Sequence, residues 1–419
     1  METKMKNTQL YLPHELIIQI LLRLPVKSLI RFKCVCKLWF SLISDTHFAN
    51  SHFQITAATH SPTILFLSYS DTYETQEESE RLTHSDFDTH FQLVTATRTH
   101  TIWFASHPYL LTPSIGFQES LNPNSASASA SASLNLNFTP FKSYYNIQII
   151  GSCRGFILLH CYCQQMLNNN IYIFNPSTRV HKKLPLSLFG SNVMRYRTGF
   201  GYDQSTDDYL MVSMSCDPSL ANVSSHLEFF SLRDNTWKEI EGTHFPYMNS
   251  SILSYGNQDA GLLYNGAIHW LALRRDLKKH VIVTFDLMER KLGEIHFPDD
   301  FDYDYYIEGL WVFGEFLSVW APGLEGDGIL EIWVMKEYKM HSSWTKIVLP
   351  TAGLRDEYFV PLCSTKSGDI IGTDGDNGWV KYNDKGDLLD HSYCIYPCGF
   401  QAGTYIESLF SLPADNEQA

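Results

Sequence analysis

12-LPHELIIQILLRLPVKSLIRFKCVCKLW-39 is a strongly apolar stretch near the front of a chain that otherwise has the pattern of a β protein. Apolar residues recur at offsets of three and four through its first half, which predicts an amphipathic helix. Pro13 suits the first turn of that helix, and Pro25 ends it. A second helical pattern runs from Val26 to Ile43. Helices this short cannot cover apolar faces this wide by themselves, so the stretch predicts a partner surface.

The charge of the chain is divided unevenly along its 419 residues. Residues 1–53 carry seven Lys and Arg against three acidic residues, whereas the remainder carries 24 basic and 42 acidic residues. A basic head and an acidic body indicate two functional units. An acidic body also argues against a nucleic-acid partner, because phosphate binding depends on Lys and Arg.

The cellular compartment is predicted from the lack of membrane-spanning, secretory and disulfide patterns in the sequence. No run of about 18 apolar residues predicts a membrane span, so we expect no membrane partner. The first residues, METKMKNTQLYLPHE, do not have the pattern of a secretory signal. Nine cysteines in scattered positions favour free thiols in a reducing compartment. We therefore expect the protein in the cytoplasm, the nucleus or both.

From about residue 54 the chain consists of short β-patterned runs separated by Gly, Asn, Asp and Pro. Five segments resemble one another, and each contains four predicted strands. They align on positions that recur about every 50 residues: Phe174, Phe230, Phe285, Trp333 and Lys381. This repeat predicts a kelch-like β-propeller of six or seven blades behind a small α-helical domain.

Local signals refine this architecture. Asn265-Gly266 predicts a tight hairpin turn, and the strand pattern of residues 404–412 is expected to pair with the first blade and close the ring. The predicted domains are residues 1–53 and 54–412, followed by a tail at 413–419. The polar stretches 70–90 and 112–140, the second including SASASASAS, are predicted to be flexible insertions.

Motifs for catalysis or metal binding are incomplete in this sequence. HELII (residues 14–18) begins like the zinc motif H-E-x-x-H, but Ile18 stands where the second histidine is needed. The C-x-C pairs at 34/36 and 161/163 lack further ligands at zinc-finger spacing. We predict no catalytic, cofactor-binding or metal-binding residues and no cofactor.

Two loops between repeats combine aromatic residues with polar ones. DDFDYDYY (residues 299–306) and the stretch 242–259 read either as solvated loops or as surfaces that bind a target protein. The weak candidates for target binding are Phe301, Tyr303, Tyr305, Tyr306 and Tyr247.

The apolar head resembles the plant F-box. The resemblance rests on the Leu12-Pro13 opening, the link LPVKSL (24–29), the run RFKCVCK (31–37) and Trp39, with FANSHF (48–53) after them. GSCRGF (151–156), FNPSTR (174–179) and FGYDQSTDDYLMV (200–212) resemble the F-box-associated, kelch-type interaction domain. Together the two resemblances cover most of the chain.

This resemblance implies a non-catalytic substrate-recognition subunit of an SCF (Skp–cullin–F-box) ubiquitin ligase. Its partners would be a Skp-type adaptor, through it the cullin and RING subunits, and an unknown protein target bound by the propeller for ubiquitination. The residues carried over as adaptor-binding are Leu12, Pro13, Ile17, Ile20, Leu24, Pro25, Val26, Leu29, Phe32, Val35, Cys36 and Trp39.

Three other interpretations remain at this point. The head helices could dock on the propeller without an adaptor. The protein could be a scaffold that binds the adaptor but never joins a cullin. A propeller enzyme would need a constellation of acid, base or metal-ligating residues that the sequence does not display.

Overall fold

The computed structural model describes residues 12–59, 63–72, 97–105, 132–135, 146–163, 168–187, 196–216, 225–240, 247–248, 260–274, 276–298, 301, 307, 309–322, 329–350, 359–365, 367–373, 378–393 and 400–412. The chain folds as a short helical head followed by a mainly-β propeller, which confirms the predicted fold class.

The head contains four helices: α1 (His14–Leu21), α2 (Val26–Phe32), α3 (Lys37–Ile43) and α4 (Thr46–Thr59). Pro13 and Pro25 stand at the N-cap positions of the first two helices, as their fixed φ favours. Cys36 caps α3, where its Sγ accepts the Trp39 N–H at 3.5 Å. The domain boundary drawn from sequence at 53/54 falls inside α4, which continues to Thr59.

Five blades of the propeller are continuous in sequence. The first contains β4 (Asn146–Cys153), β5 (Phe156–Cys163), β6 (Asn168–Phe174) and β7 (His181–Leu184). The second contains β8 (Tyr196–Asp203), β9 (Asp208–Cys216), β10 (Ser225–Ser231) and β11 (Thr236–Glu239). The third contains β12 (Tyr247–Met248), β13 (Leu262–Tyr264), β14 (Ala267–Arg274), β15 (Lys279–Asp286) and β16 (Lys291–His296).

The fourth blade contains β17 (Gly309–Phe313), β18 (Phe316–Pro322), β19 (Ile329–Met335) and β20 (Trp344–Pro350). The fifth contains β21 (Val360–Ser364), β22 (Ile370–Thr373), β23 (Gly378–Tyr382) and β24 (Leu388–Tyr393). Each of the five is an antiparallel sheet of consecutive strands.

A further sheet is composite, because it combines strands from both ends of the chain. It joins β1 (Thr63–Thr72), β2 (Thr97–Ala105) and β3 (Ala132–Asn135) to β25 (Phe400–Tyr405) in the order β25-β1-β2-β3. Strand β25 pairs with β1, which confirms the expected closure of the ring, although the strand ends at Tyr405 rather than at residue 412. Within the described residues, the continuous blades number five rather than the predicted six or seven, because the remaining strands share this composite sheet.

The repeat positions read from the sequence are structurally equivalent. Phe174, Phe230, Phe285, Trp333 and Lys381 lie on β6, β10, β15, β19 and β23, each the next-to-last strand of its blade. Neighbouring sheets meet through their innermost strands, since β4 contacts both β8 and β25 while β21 contacts both β17 and β25.

The predicted flexible insertions lie largely outside the described residues, with one correction. Strand β3 (Ala132–Asn135) falls inside the predicted insertion 112–140 and pairs with residues 101–104 of β2. Residues 70–72 likewise belong to strand β1 rather than to the insertion that begins at 70.

The head and the propeller share one apolar core. Buried residues of the head, including Leu21, Val26 and Leu29, belong to the same cluster as Phe156 of the first blade and Phe410 near the C-terminal end. In the part of the chain that the structure describes, no helix is long and apolar enough to cross a membrane.

Candidate functional site

Six large apolar side chains of the head are exposed to solvent. The side chains that we call the apolar face are 49 to 60% exposed: Leu12, Leu16, Ile20, Val35, Leu38 and Phe40. Leu12, Leu16 and Ile20 follow one another at intervals of four residues, which places them on one side of α1. The other three lie in α3 and the turn before it.

Exposure of this kind is costly in water. Burial of a large aliphatic or aromatic side chain contributes about 1.5–3 kcal/mol, and six such side chains remain mostly outside the core. Several exposed apolar side chains on so small a domain indicate a contact with another molecule. The propeller does not cover this side of the head.

Basic side chains accompany the apolar face. Lys27 and Arg31 are exposed on α2, and Lys37 is exposed at the start of α3. Lys33 is half-buried, and burial lowers the pKa of its ammonium group. The charge around the face suits a partner surface that is apolar at its centre and acidic at its edge.

The structure divides the residues that the resemblance assigned to the adaptor. Leu12, Pro13, Ile20, Pro25, Val35 and Cys36 are exposed and accessible to another chain. Ile17, Leu24, Phe32 and Trp39 are partly buried and pack against the core. Phe32 and Trp39 contact each other with ring centroids 5.4 Å apart, so this pair also connects α2 to α3.

Val26 and Leu29 require a correction. Their side chains are 1% and 0% exposed, so they pack inside the head and cannot contact an adaptor in this arrangement. They lie three residues apart on α2, on the side of that helix that faces the core. Their apolar character serves the stability of the head.

Sequence reasoning left three members of the apolar face out of the site: Leu16, Leu38 and Phe40. Leu16 lies four residues from both Leu12 and Ile20, and this spacing was a usable signal. Leu38 and Phe40 had no such signal, because the α2–α3 break that orients them does not show in a continuous helical pattern.

The predicted target-binding residues are placed as follows. Phe301 is buried and stacks on Phe297, with ring centroids 4.6 Å apart, so it is a core residue with little surface to offer a target. Tyr247 is buried as well, and its hydroxyl donates to the Glu294 carboxylate. Burial and this hydrogen bond raise the pKa of the Tyr247 hydroxyl. Tyr303, Tyr305 and Tyr306 lie outside the described residues.

The titratable side chains whose pKa values are shifted have structural rather than chemical roles. Burial raises the pKa of the Cys153 and Cys161 thiols to about 12, which suits inert core cysteines. Burial also lowers the pKa of His269 to about 4, and this ring contacts the Leu262 carbonyl and the Tyr338 hydroxyl. Among the described residues, no group of three or more His, Cys, Asp or Glu is placed to hold a metal ion.

Comparison with protein families matches both parts of the chain. An F-box domain matches residues 10–50, and an F-box associated beta propeller domain matches residues 104–377. An F-box/kelch-repeat protein of Arabidopsis thaliana is 27% identical over 89% of this chain and 87% of its own length. The F-box protein CPR1 of the same plant is 25% identical over 85% of this chain and 77% of its own length.

The similarity of this chain to solved structures is weaker than its similarity to these families and relatives. TolB from Acinetobacter baumannii aligns with a TM-score of 0.41 at 9% identity, over 86% of this chain and 73% of that one.

The fold defines a class of protein in which a short helical domain is joined to a β-propeller. The chain belongs to the family of F-box proteins that carry an F-box associated β-propeller domain.

Proposed function

We propose that this protein is the substrate-recognition subunit of an SCF-type ubiquitin ligase. The F-box binds a Skp-type adaptor, and through it the cullin and RING subunits, while the propeller binds a protein target for ubiquitination. The protein itself is non-catalytic in this proposal, and it acts by raising the local concentration of the target near the transferring enzyme. We place it in the cytoplasm, the nucleus or both.

The observation that carries the proposal is the apolar face. Its six large side chains remain exposed although Leu21, Val26 and Leu29 of the same head pack into the core shared with the propeller. An amphipathic helical face of this kind docks into a complementary apolar surface of another chain. The family match over residues 10–50 indicates a Skp-type adaptor as that chain.

Substitution on the face tests the proposal. We expect Leu16→Glu together with Ile20→Glu to lower the affinity for a purified Skp-type adaptor at least about a hundredfold, because two carboxylates would be buried without partners. Both side chains are half-exposed, so the fold should tolerate the change. Isothermal titration calorimetry measures the affinity, and thermal unfolding checks the fold.

Leu389→Glu is the matched control. Leu389 is 50% exposed on β24 of the fifth blade, away from the head, so this variant should bind the adaptor as the unaltered protein does. Equal affinity of the double variant and the unaltered protein would overturn the assignment of the face. Recovery of adaptor without cullin from cells would favour the scaffold interpretation instead.

A further inference from the structure

Four separate parts of the chain meet around the guanidinium group of Arg154. This residue lies in the turn between β4 and β5 of the first blade. Its guanidinium carbon is 4.0 Å from the ring centroid of Tyr202, 4.7 Å from that of Phe410 and 5.3 Å from that of Phe53. One guanidinium nitrogen donates a hydrogen bond to the Asn50 side-chain oxygen. We call these five residues the junction.

The members of the junction come from both units of the protein. Asn50 and Phe53 belong to α4 of the head, whereas Tyr202 lies on β8 of the second blade, next to its last residue. Phe410 belongs to the segment after β25, and its ring lies 5.5 Å from that of Phe53. A guanidinium group over aromatic faces gains cation–π attraction, and its planar fork directs the hydrogen bond. Arg154 therefore holds the head helix, two blades and the C-terminal segment against one another.

The turn that carries Arg154 packs closely against the segment after β25. Gly155 has φ of +81°, and a Cβ at this position would stand 1.9 Å from the Ser408 hydroxyl oxygen. The segment after β25 is in turn fixed by Asn175, whose amide nitrogen donates to the Phe410 carbonyl at 2.9 Å and to the Ser408 hydroxyl at 3.1 Å. The backbone from which the guanidinium group extends is thus held in place by packing and hydrogen bonds.

We propose that Arg154 is a positioning residue that fixes the orientation of the F-box relative to the propeller. The inference rests on the proposed function, since a fixed orientation matters where one end of the molecule holds the adaptor and the other presents a target. The junction and the apolar face share no residue, since Asn50 and Phe53 lie on α4 while that face is formed by α1, α3 and the residues next to them. Adaptor binding and orientation are therefore separate properties of the molecule.

Hydrogen exchange on the full chain bound to its adaptor tests this assignment. In Arg154→Ala we expect the amides of the second half of α4 and of residues 406–412 to exchange at least about tenfold faster. The amides of β5 and β6 should exchange at their original rates, and small-angle scattering should show a broader distribution of interatomic distances. Arg154→Lys keeps the charge over the rings but loses the fork, so it should give an intermediate rate.

Arg233→Ala is the matched control. Arg233 lies in the β10–β11 turn, half-exposed, and its guanidinium donates to the Asp207 carbonyl at 2.6 Å. This variant should leave exchange in α4 unchanged. Unchanged exchange in α4 of Arg154→Ala overturns the proposal, and so does faster exchange that extends to β5 and β6, which is the result of a merely structural role.

The two proposals fail in different ways. Absence of adaptor binding by the unaltered chain would defeat the proposed function, whereas the exchange rates of the free chain would still report on the junction. Retained adaptor affinity with a loosened α4 is the result expected if both proposals hold.

Discussion

Asp203 shows how one motif residue of the propeller performs a structural task. It ends β8, and its carboxylate accepts hydrogen bonds from the Ser205 N–H at 2.8 Å and from the Thr206 hydroxyl at 2.6 Å. The guanidinium group of Arg290, in the β15–β16 turn of the next blade, donates to the same carboxylate at 2.7 Å. The sequence DQST after β8 is thus a turn whose first residue also ties two blades together.

The ionisation of Asp203 makes the stability of the propeller depend on pH. Burial opposes the charged form, but the hydrogen bonds from Thr206, Ser205 and Arg290 outweigh it and lower the pKa to about 2, against 3.8 for an unperturbed Asp. A depressed pKa in the folded state stabilises the fold above the unfolded-state pKa, and this contribution is lost as the pH falls from about 4 towards 2. At neutral pH it amounts to about 2 kcal/mol.

Asp203→Asn tests this contribution. The free energy of unfolding of the unaltered protein should exceed that of the variant at pH 6, and the difference should shrink by about 1 kcal/mol by pH 3. Urea unfolding at both pH values measures it. A pH-independent difference for Asp203→Asn would contradict the assignment.

At the scale of elements, two hairpin turns of similar geometry differ in their surroundings. Gly155 and Gly266 both have positive φ, +81° and +73°, and both follow a non-glycine residue of positive φ. A Cβ on Gly266 would meet nothing within 4 Å, whereas a Cβ on Gly155 would collide with Ser408. An alanine at Gly155 therefore tests backbone strain together with packing, whereas an alanine at Gly266 tests backbone strain alone.

The two glycine-to-alanine variants should therefore separate these effects. Gly266→Ala should lower the free energy of unfolding by about 1 kcal/mol, the cost of positive φ for a residue with a Cβ. Gly155→Ala should lower it by about 3 kcal/mol, because overpacking against Ser408 adds to the strain. Urea unfolding measures both, and Ser408→Gly in the Gly155→Ala background should recover part of the loss. Equal losses for the two variants would show that the contact with Ser408 yields without cost.

The sequence predicted the elements where a local signal exists. Asn265-Gly266 marked the β13–β14 hairpin, and Pro13 marked the start of α1, where it is the N-cap residue. Pro25 was expected to end the first helix, but α1 ends at Leu21 and Pro25 is the N-cap residue of α2. Strand β3 could not be predicted, because its sequence ASLN has no strand pattern and only pairing with β2 orders it.

The site was predicted in part for a related reason. An apolar stripe predicts that one side of a helix is covered. It does not tell whether the protein's own core or another chain covers that side. Val26 and Leu29 are covered by the protein's own core, whereas Leu16 and Leu38 remain exposed. The difference depends on residues as distant in sequence as Phe410, whose packing with the head no local pattern reports.

At the scale of the whole molecule, the last described residues do two things. Residues 400–405 form β25, which pairs with β1 from Ser68↔Phe400 to Thr63↔Tyr405 and so completes the composite sheet. Residues 406–412 pass between the first blade and the head, where Asn175 binds Ser408 and Phe410. Closure of the ring and attachment of the F-box therefore depend on the same short segment.

Removal of residues 400–419 should affect both properties at once. The truncated chain would leave β1 as an exposed, apolar strand edge, so we expect it to self-associate, as size-exclusion chromatography with light scattering would show. A synthetic peptide of residues 400–412 should restore the monomer and the protection of α4 from hydrogen exchange, because it supplies both the strand and Phe410. A peptide of the same composition in scrambled order is the control and should restore neither. A truncated chain that stays monomeric, with α4 as protected as before, would mean that the ring and the head hold together without this segment.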